Sequence, residues 1–102
     1  MSVNVIRTAN ATRDLNKIRN WWLQSDSEVA FRFASGVKKT IQRLAELPQM
    51  GDEYEATDGT WRRRVRVDGF SKYWIYYHFD GSAVRVLRVI HSSQNVESEL
   101  QK

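Results

Sequence analysis

The sequence predicts an α+β fold in which an N-terminal strand and an α-helical hairpin pack on a curved antiparallel sheet of about four strands. Two observations lead to this prediction. Between Ser27 and Leu47 apolar residues recur every three or four positions, as in an amphipathic helix. From Trp61 to His91 the chain is instead rich in β-branched and aromatic residues, and Asp-Gly pairs typical of tight turns interrupt it.

The first half of the chain supplies the strand and the helical hairpin. Ser2–Thr8 alternates polar and apolar residues, which predicts a short strand at an edge of the sheet. We expect Thr12 to cap the first helix, with Asp14 in its first turn, where negative charge suits the helix dipole. Pro48 ends the second helix because it lacks a backbone N–H, and Gly36 indicates a close helix–helix contact.

The second half supplies the sheet. After a polar loop, three strands are expected at Trp61–Val67, Lys72–Phe79 and Ala83–His91. Side chains alternate between the two faces of a strand, and the more apolar set should face the helices. The open face is therefore expected to carry Arg62, Arg64, Arg66, Trp74, Tyr76 and His78. Beyond the last strand, one short helical turn is expected from Asn95.

Length and composition restrict the class of protein. We expect a single domain over residues 1–102, because 102 residues provide one hydrophobic core. There is no Cys, and no apolar run approaches the roughly 20 residues that span a bilayer, so we expect a cytoplasmic protein. Two His residues without Cys are too few for a metal site, and no nucleotide-binding motif occurs, so no cofactor is expected. A net charge of +4 favours acidic partners.

The basic and aromatic open face has two interpretations. Arginines beside Trp and Tyr are typical of nucleic-acid surfaces, where bases stack on aromatic rings and phosphates bind guanidinium groups. The same residue types are enriched at protein–protein interfaces, which is the interpretation we favour. His91, at the end of the last strand, has a side chain suited to a general base, but a structural role is the more common one. Trp21 and Trp22 allow a similar choice between base stacking and closing the core, and we favour the core.

The order of these elements, together with several short motifs, resembles the RelE/ParE superfamily of toxins from type II toxin–antitoxin pairs. The residues that carry the resemblance are Asp14, Leu15 and Ile18 in the first helix, Ala30, Phe33, Ile41 and Leu44 in the second, then Pro48-Gln49-Met50-Gly51, Tyr73-Trp74-Ile75-Tyr76-Tyr77 and Val86-Leu87-Arg88-Val89-Ile90-His91. The resemblance covers nearly the whole chain. It implies the same α+β fold and a cognate antitoxin as partner.

The superfamily divides by mechanism, and the resemblance is closer to the ParE-like branch. RelE-like members are ribosome-dependent mRNA endonucleases, whereas ParE-like members act on DNA gyrase. Trp74 and Ser92 stand where a RelE-like enzyme is expected to have Arg, and the C-terminal tail has no Tyr. We therefore expect a non-enzymatic gyrase inhibitor, with a RelE-like endonuclease acting on ribosome-bound mRNA as the alternative. His91 and Arg64 would be the catalytic candidates of that alternative. The residues expected to bind target or antitoxin are Arg62, Arg64, Arg66, Trp74, Tyr76, Arg88 and His91.

Overall fold

The computed structural model describes residues 2–93, which form two helices and a five-stranded sheet. In chain order the elements are β1 (Asn4–Arg7), α1 (Ala9–Ser25), α2 (Ser27–Glu46), β2 (Asp52–Glu55), β3 (Trp61–Val67), β4 (Phe70–Phe79) and β5 (Ala83–His91). The predicted α+β fold, with an N-terminal strand and a helical hairpin, is confirmed. The helical turn expected from Asn95 lies outside the described residues.

The sheet has the order β1-β5-β4-β3-β2 and is mixed rather than antiparallel throughout. As predicted, β3, β4 and β5 form an antiparallel meander, and β1 lies at an edge. However, β1 runs parallel to β5, with Asn4 opposite Ala83 and Arg7 opposite Val86. The fifth strand is β2, which pairs with β3. It lies in the segment that the sequence predicted to be a loop. Acidic residues are depleted in strands, so the composition of β2 gave no strand signal.

The first helix begins earlier than expected. Thr8, not Thr12, is its N-cap, and the Thr8 Oγ1 accepts a hydrogen bond from the Ala11 backbone N–H. The same hydroxyl donates to the carbonyl oxygen of Val86 at 2.8 Å, so the cap also fixes α1 to β5. The prediction for Asp14 was wrong as well, because this residue lies in the second turn of α1 rather than the first.

Asp14 joins α1 to the last strand. β1 ends opposite Val86, and beyond that point α1 lies beside β5. The Asp14 carboxylate accepts from the Arg88 Nε at 2.7 Å, the Arg88 Nη2 at 2.9 Å and the Val89 backbone N–H at 2.9 Å. The carboxylate therefore satisfies a backbone donor of β5 that has no strand beside it. We refer to these contacts as the Asp14–Arg88 clasp.

The second helix has the predicted limits and covers one face of the sheet. Asp26 caps it by accepting from the backbone N–H groups of Glu28 and Val29. The predicted helix–helix contact at Gly36 was wrong, because Gly36 packs against the β3–β4 turn. A Cβ at this position would lie 2.3 Å from the carbonyl oxygen of Asp68. Thr40 completes the contact by accepting from the Asp68 N–H.

The core lies between α2 and the helix-facing side of the sheet. The predicted alternation is confirmed from Val65 onward, because the inward-pointing side chains of β3 and β4 there pack in or against the core; Trp61, which alternation places on the same face, is instead 59% exposed. The packed side chains include Val65, Val67, Tyr73, Ile75, Tyr77 and Phe79. Tyr77 also accepts a hydrogen bond from the Gly51 N–H at 2.9 Å, and burial raises the pKa of its hydroxyl. Within residues 2–93, neither helix is long and apolar enough to cross a membrane.

Candidate functional site

The open face of the sheet carries two arginines stacked on one indole. Arg66 is the direct cross-strand partner of Trp74, and Arg64 lies diagonally across from it, opposite Tyr76. The guanidinium carbons of Arg64 and Arg66 are 4.4 Å and 4.7 Å from the centre of the Trp74 ring. Such cation–π contacts hold flexible side chains in place. We call Arg64, Arg66 and Trp74 the arginine–tryptophan cluster, and it confirms the predicted faces of β3 and β4.

Arg62, the third arginine on the open face of β3, is held by the loop that precedes the strand. The Arg62 Nε donates to the Thr60 hydroxyl at 3.1 Å, and its Nη2 lies 3.6 Å from a carboxylate oxygen of Asp58. Hydrogen bonds from Thr60, assisted by the charge of Arg62, lower the pKa of Asp58. Arg62 is therefore partly neutralised, whereas Arg64 and Arg66 remain the cationic centre of the face.

Two tyrosines, Tyr54 and Tyr76, lie next to these arginines, and their burial differs from what the sequence predicted. Tyr76 points to the open face as predicted, but only 1% of it is exposed, and its ring contacts that of Tyr54 edge-on, with ring centres 5.6 Å apart. Neither hydroxyl has a hydrogen-bond partner among the described residues. Burial raises the pKa of Tyr54 to about 12, so its hydroxyl stays protonated near neutral pH. Tyr54 was missed because β2 was taken for a loop. The lone aromatic between acidic residues was the available signal.

Arg88 was expected to bind a partner, yet its guanidinium is committed within the fold. The side chain is only 12% exposed and belongs to the Asp14–Arg88 clasp. Its role in binding a partner therefore stays a prediction that this geometry disfavours. The observed position explains instead how the last strand is fixed to the first helix.

His91 and Arg64, the two candidates for RNA catalysis, lie on opposite faces of the sheet. His91 is the cross-strand partner of Tyr73, and the centres of their rings are 4.9 Å apart. Tyr73 in turn packs edge-on against Phe33 of α2, on the face that the helices cover. The His91 Nδ1 is 2.8 Å from the Ser93 hydroxyl. Arg64 is stacked on Trp74 on the other face, so the two side chains do not converge on one substrate.

The chemistry available at the open face is that of binding. It presents guanidinium groups and an indole, which supply cations and hydrogen-bond donors. In the part of the chain described here, no group of three or more His, Cys, Asp or Glu residues could hold a metal ion. The face is thus suited to an acidic or aromatic partner surface.

Comparison with known proteins places this fold in a family. Residues 5–96 match the family model of the ParE toxin of the type II toxin–antitoxin system parDE. The chain belongs to the ParE toxin family. The expected relationship to type II toxins of the RelE/ParE superfamily is thereby confirmed.

Individual relatives agree with this assignment. The chain is 29% identical over 92 residues to Toxin RelE1 of Caulobacter vibrioides, covering 89% of this chain and 95% of that protein. A chain of the chromosomal ParDE toxin–antitoxin system from P. aeruginosa has the same fold. Its TM-score is 0.71 at 14% identity, covering 88% of this chain and 96% of that one. A chain of the RelBE2 toxin–antitoxin complex from Mycobacterium tuberculosis has a TM-score of 0.55 at 25% identity, covering 89% and 99%.

Proposed function

We propose that this ParE-family toxin inhibits growth by binding DNA gyrase, without catalysing a reaction itself, and that a cognate antitoxin neutralises it in the cytoplasm. The separation of His91 from Arg64 carries the proposal. Cleavage of mRNA by its own 2′-hydroxyl needs a base, a proton donor and a cationic clamp around one phosphate. A clamp on one face and the imidazole on the other cannot serve the same phosphate.

Other groups on the open face do not replace the missing base. Tyr54 has a pKa of about 12, which makes it a poor proton acceptor near pH 7. Asp58 is ionised, but it is engaged by Thr60 and Arg62. The cluster thus supports binding better than catalysis.

The arginine–tryptophan cluster is well suited to be the contact that decides binding to the target. Arg and Trp are, with Tyr, the residue types enriched among interface hot spots. The stacking on Trp74 orders Arg64 and Arg66 before a partner arrives, which reduces the side-chain entropy lost on binding. Truncation of such a residue typically costs 2 kcal/mol or more, which is roughly a 30-fold loss of affinity.

An antitoxin partner is supported by the relatives and by charge. The neighbouring structures include a ParDE system and a RelBE2 toxin–antitoxin complex. The net charge of +4 favours an acidic partner segment, which could fold as it binds across the helical hairpin and the sheet edge.

Two assays run side by side test the proposed target. The purified protein is expected to inhibit DNA supercoiling by gyrase and to leave ribosome-bound mRNA intact in a primer-extension assay. Arg64→Glu combined with Arg66→Glu should weaken inhibition by at least about 30-fold, because it reverses the charge of two hot-spot residues. Arg85→Glu, a single charge reversal at an exposed position of β5, is the control and should retain inhibition.

Cleavage of ribosome-bound mRNA would be the result that contradicts the gyrase proposal. Codon-dependent mRNA cuts that disappear in His91→Ala would support the RelE-like alternative and overturn the gyrase proposal. Circular dichroism of each variant separates loss of binding from loss of folding. If the double charge reversal unfolds the protein, the cluster has a structural role that we have not assigned to it.

A further inference from the structure

A groove runs along α2 beside the turn between β3 and β4. Its volume is about 350 Å³, and its lining includes Arg32, Ser35 and Lys39 from the helix and Asp68 and Gly69 from the turn. None of the residues of the arginine–tryptophan cluster lines it. Charged and hydroxyl groups therefore form a second polar surface, separate from the open face of the sheet.

The exposed side of α2 carries positive charge along most of its length. The acidic residues of this helix are confined to its two ends, at Glu28 and Glu46. Arg32 and Lys39 are seven residues apart, which is two helical turns, so they lie on one side of the helix about 10 Å apart. The charged side chains between the two glutamates are all exposed and all basic: Arg32, Lys38, Lys39 and Arg43.

Three of these four cations are not engaged within the fold. Arg43 lies 3.4 Å from the carboxylate of Asp68, so these two charges offset each other. Among residues 2–93, none of Arg32, Lys38 and Lys39 has an ion pair. We call Arg32, Lys38 and Lys39 the α2 row. Its charge can therefore be matched by an anion from outside the chain.

The chemistry of the row matches a chain of phosphates. Arg, Lys and Ser are side chains with which proteins contact the phosphate oxygens of DNA. Ser35 lies three residues after Arg32 and four before Lys39, so its hydroxyl is on the same side of α2 as both. Because the cations are spread along the helix, they suit an extended anion better than a single phosphate group.

We infer that the α2 row binds the backbone phosphates of duplex DNA, and that in the cell this duplex is the one held by gyrase. Arg32, Lys38 and Lys39 each face a phosphate, and the Ser35 hydroxyl donates to one. The inference rests on the proposed function, because a toxin bound to DNA gyrase lies beside the DNA on which that enzyme acts. The arginine–tryptophan cluster then contacts the enzyme and the α2 row contacts its DNA.

The groove is less suited to single-stranded nucleic acid or to an acidic amphipathic peptide. Single strands bind where aromatic rings are free to stack on bases. Among the described residues, Phe70 is the one aromatic side chain that lines the groove, and its ring packs edge-on against those of Phe33 and Tyr73. Trp21 and Trp22 line a different cleft. An amphipathic peptide needs an apolar groove, whereas the backbone of a duplex needs cations and hydroxyl groups.

The test measures binding of a fluorescently labelled DNA duplex of about 20 base pairs to the full-length chain by fluorescence anisotropy. Three phosphate contacts predict that the affinity falls about 40-fold between roughly 50 and 200 mM salt. Arg32→Glu combined with Lys39→Glu should weaken binding at least 10-fold and flatten this salt dependence. The matched control is Arg64→Glu combined with Arg66→Glu, which should bind the duplex within threefold of the unmodified protein. Each double variant reverses two charges and so lowers the net charge of +4 to zero.

A supercoiling assay with the same variants connects the surface to gyrase. Arg32→Glu combined with Lys39→Glu should raise the concentration for half-inhibition at least 10-fold at low salt, because the contact with the enzyme's DNA is lost. Both residues are exposed, so the fold should be retained, which circular dichroism checks. Inhibition equal to that of the unmodified protein would show that the DNA held by gyrase does not touch α2, and would overturn the inference.

The remaining outcomes separate this inference from the proposed function. If the unmodified chain inhibits gyrase but does not bind the duplex, this inference alone is overturned. If the chain binds the duplex through the α2 row but does not inhibit gyrase, the proposed function is overturned, and with it the assignment of the duplex to gyrase. Equal loss of DNA binding in both double variants would mean that net charge alone is responsible, which overturns the inference. Tighter binding of a single-stranded oligonucleotide or of a Glu decapeptide than of the duplex would also overturn it.

Discussion

Replacement of Asp14 by Ala should destabilise the protein more than the loss of any surface ion pair. The substitution leaves the Arg88 guanidinium and the Val89 N–H without their carboxylate acceptor. Removing one partner of a buried pair costs about 3–5 kcal/mol. Because the Asp14 and Arg88 side chains remain 11% and 12% exposed, we expect the lower end, about 3 kcal/mol. For a domain of this size that corresponds to a fall in Tm of about 12–24 °C.

Urea unfolding followed by circular dichroism measures this loss, and a graded series makes it interpretable. Asp14→Asn keeps an oxygen acceptor and should lose less than Asp14→Ala. The control is Arg43→Ala, which breaks the exposed pair with Asp68 and should cost no more than about 0.5 kcal/mol. Asp14→Leu combined with Arg88→Met removes both charges and should recover stability relative to Asp14→Ala. If the free energy of unfolding of Asp14→Ala lies within about 0.5 kcal/mol of that of the unmodified protein, the reasoning is refuted.

Three further predictions concern single contacts. Gly36→Ala should destabilise by about 1–2 kcal/mol in urea unfolding despite its gain in helix propensity, because the new Cβ meets the Asp68 carbonyl oxygen; an increase in stability would contradict this. Tyr77→Phe should cost about 1–3 kcal/mol in the same assay, because the buried Gly51 N–H loses its acceptor. Backbone hydrogen bonds in the β4–β5 turn lower the pKa of Asp80 from 3.8 to about 2. Its stabilising effect is therefore present above about pH 4 and lost as the pH falls to about 2, so Asp80→Asn should flatten that part of an acid titration monitored by circular dichroism.

The elements that were predicted correctly are determined by residues that are close together in the sequence. The limits of α2 follow from helical periodicity, a capping Asp26 and Pro48, all local signals. The faces of β3 and β4 follow from alternation, which is why the arginine–tryptophan cluster could be anticipated residue by residue. Where side chains alternate regularly between the two faces of a strand, the local sequence indicates the face on which each side chain lies.

The features that were missed depend on distant partners. Thr8 caps α1 while bonded to a strand 78 residues further along, so Thr12 was an equally good candidate from the sequence. β2 becomes a strand because β3 offers it an edge, which its own acidic composition does not reveal. Arg88 was assigned to a binding surface because Asp14, 74 residues away, could not be identified as its partner. A register shift between β4 and β5, next to Tyr76, further hides side-chain direction there.

The pairing of β1 with β5 has a consequence for the order in which the chain can fold. β1 and α1 are made first, yet the strand that β1 pairs with and the groups that Asp14 holds are in residues 83–91. Local contacts can form the helical hairpin early, whereas these contacts require closure of a loop of more than 70 residues. The growing chain therefore keeps its N-terminal strand unpaired until residues 83–91 have been synthesised. A chain shortened before β5 would lack the strand that pairs with β1 and the groups that the Asp14 carboxylate holds.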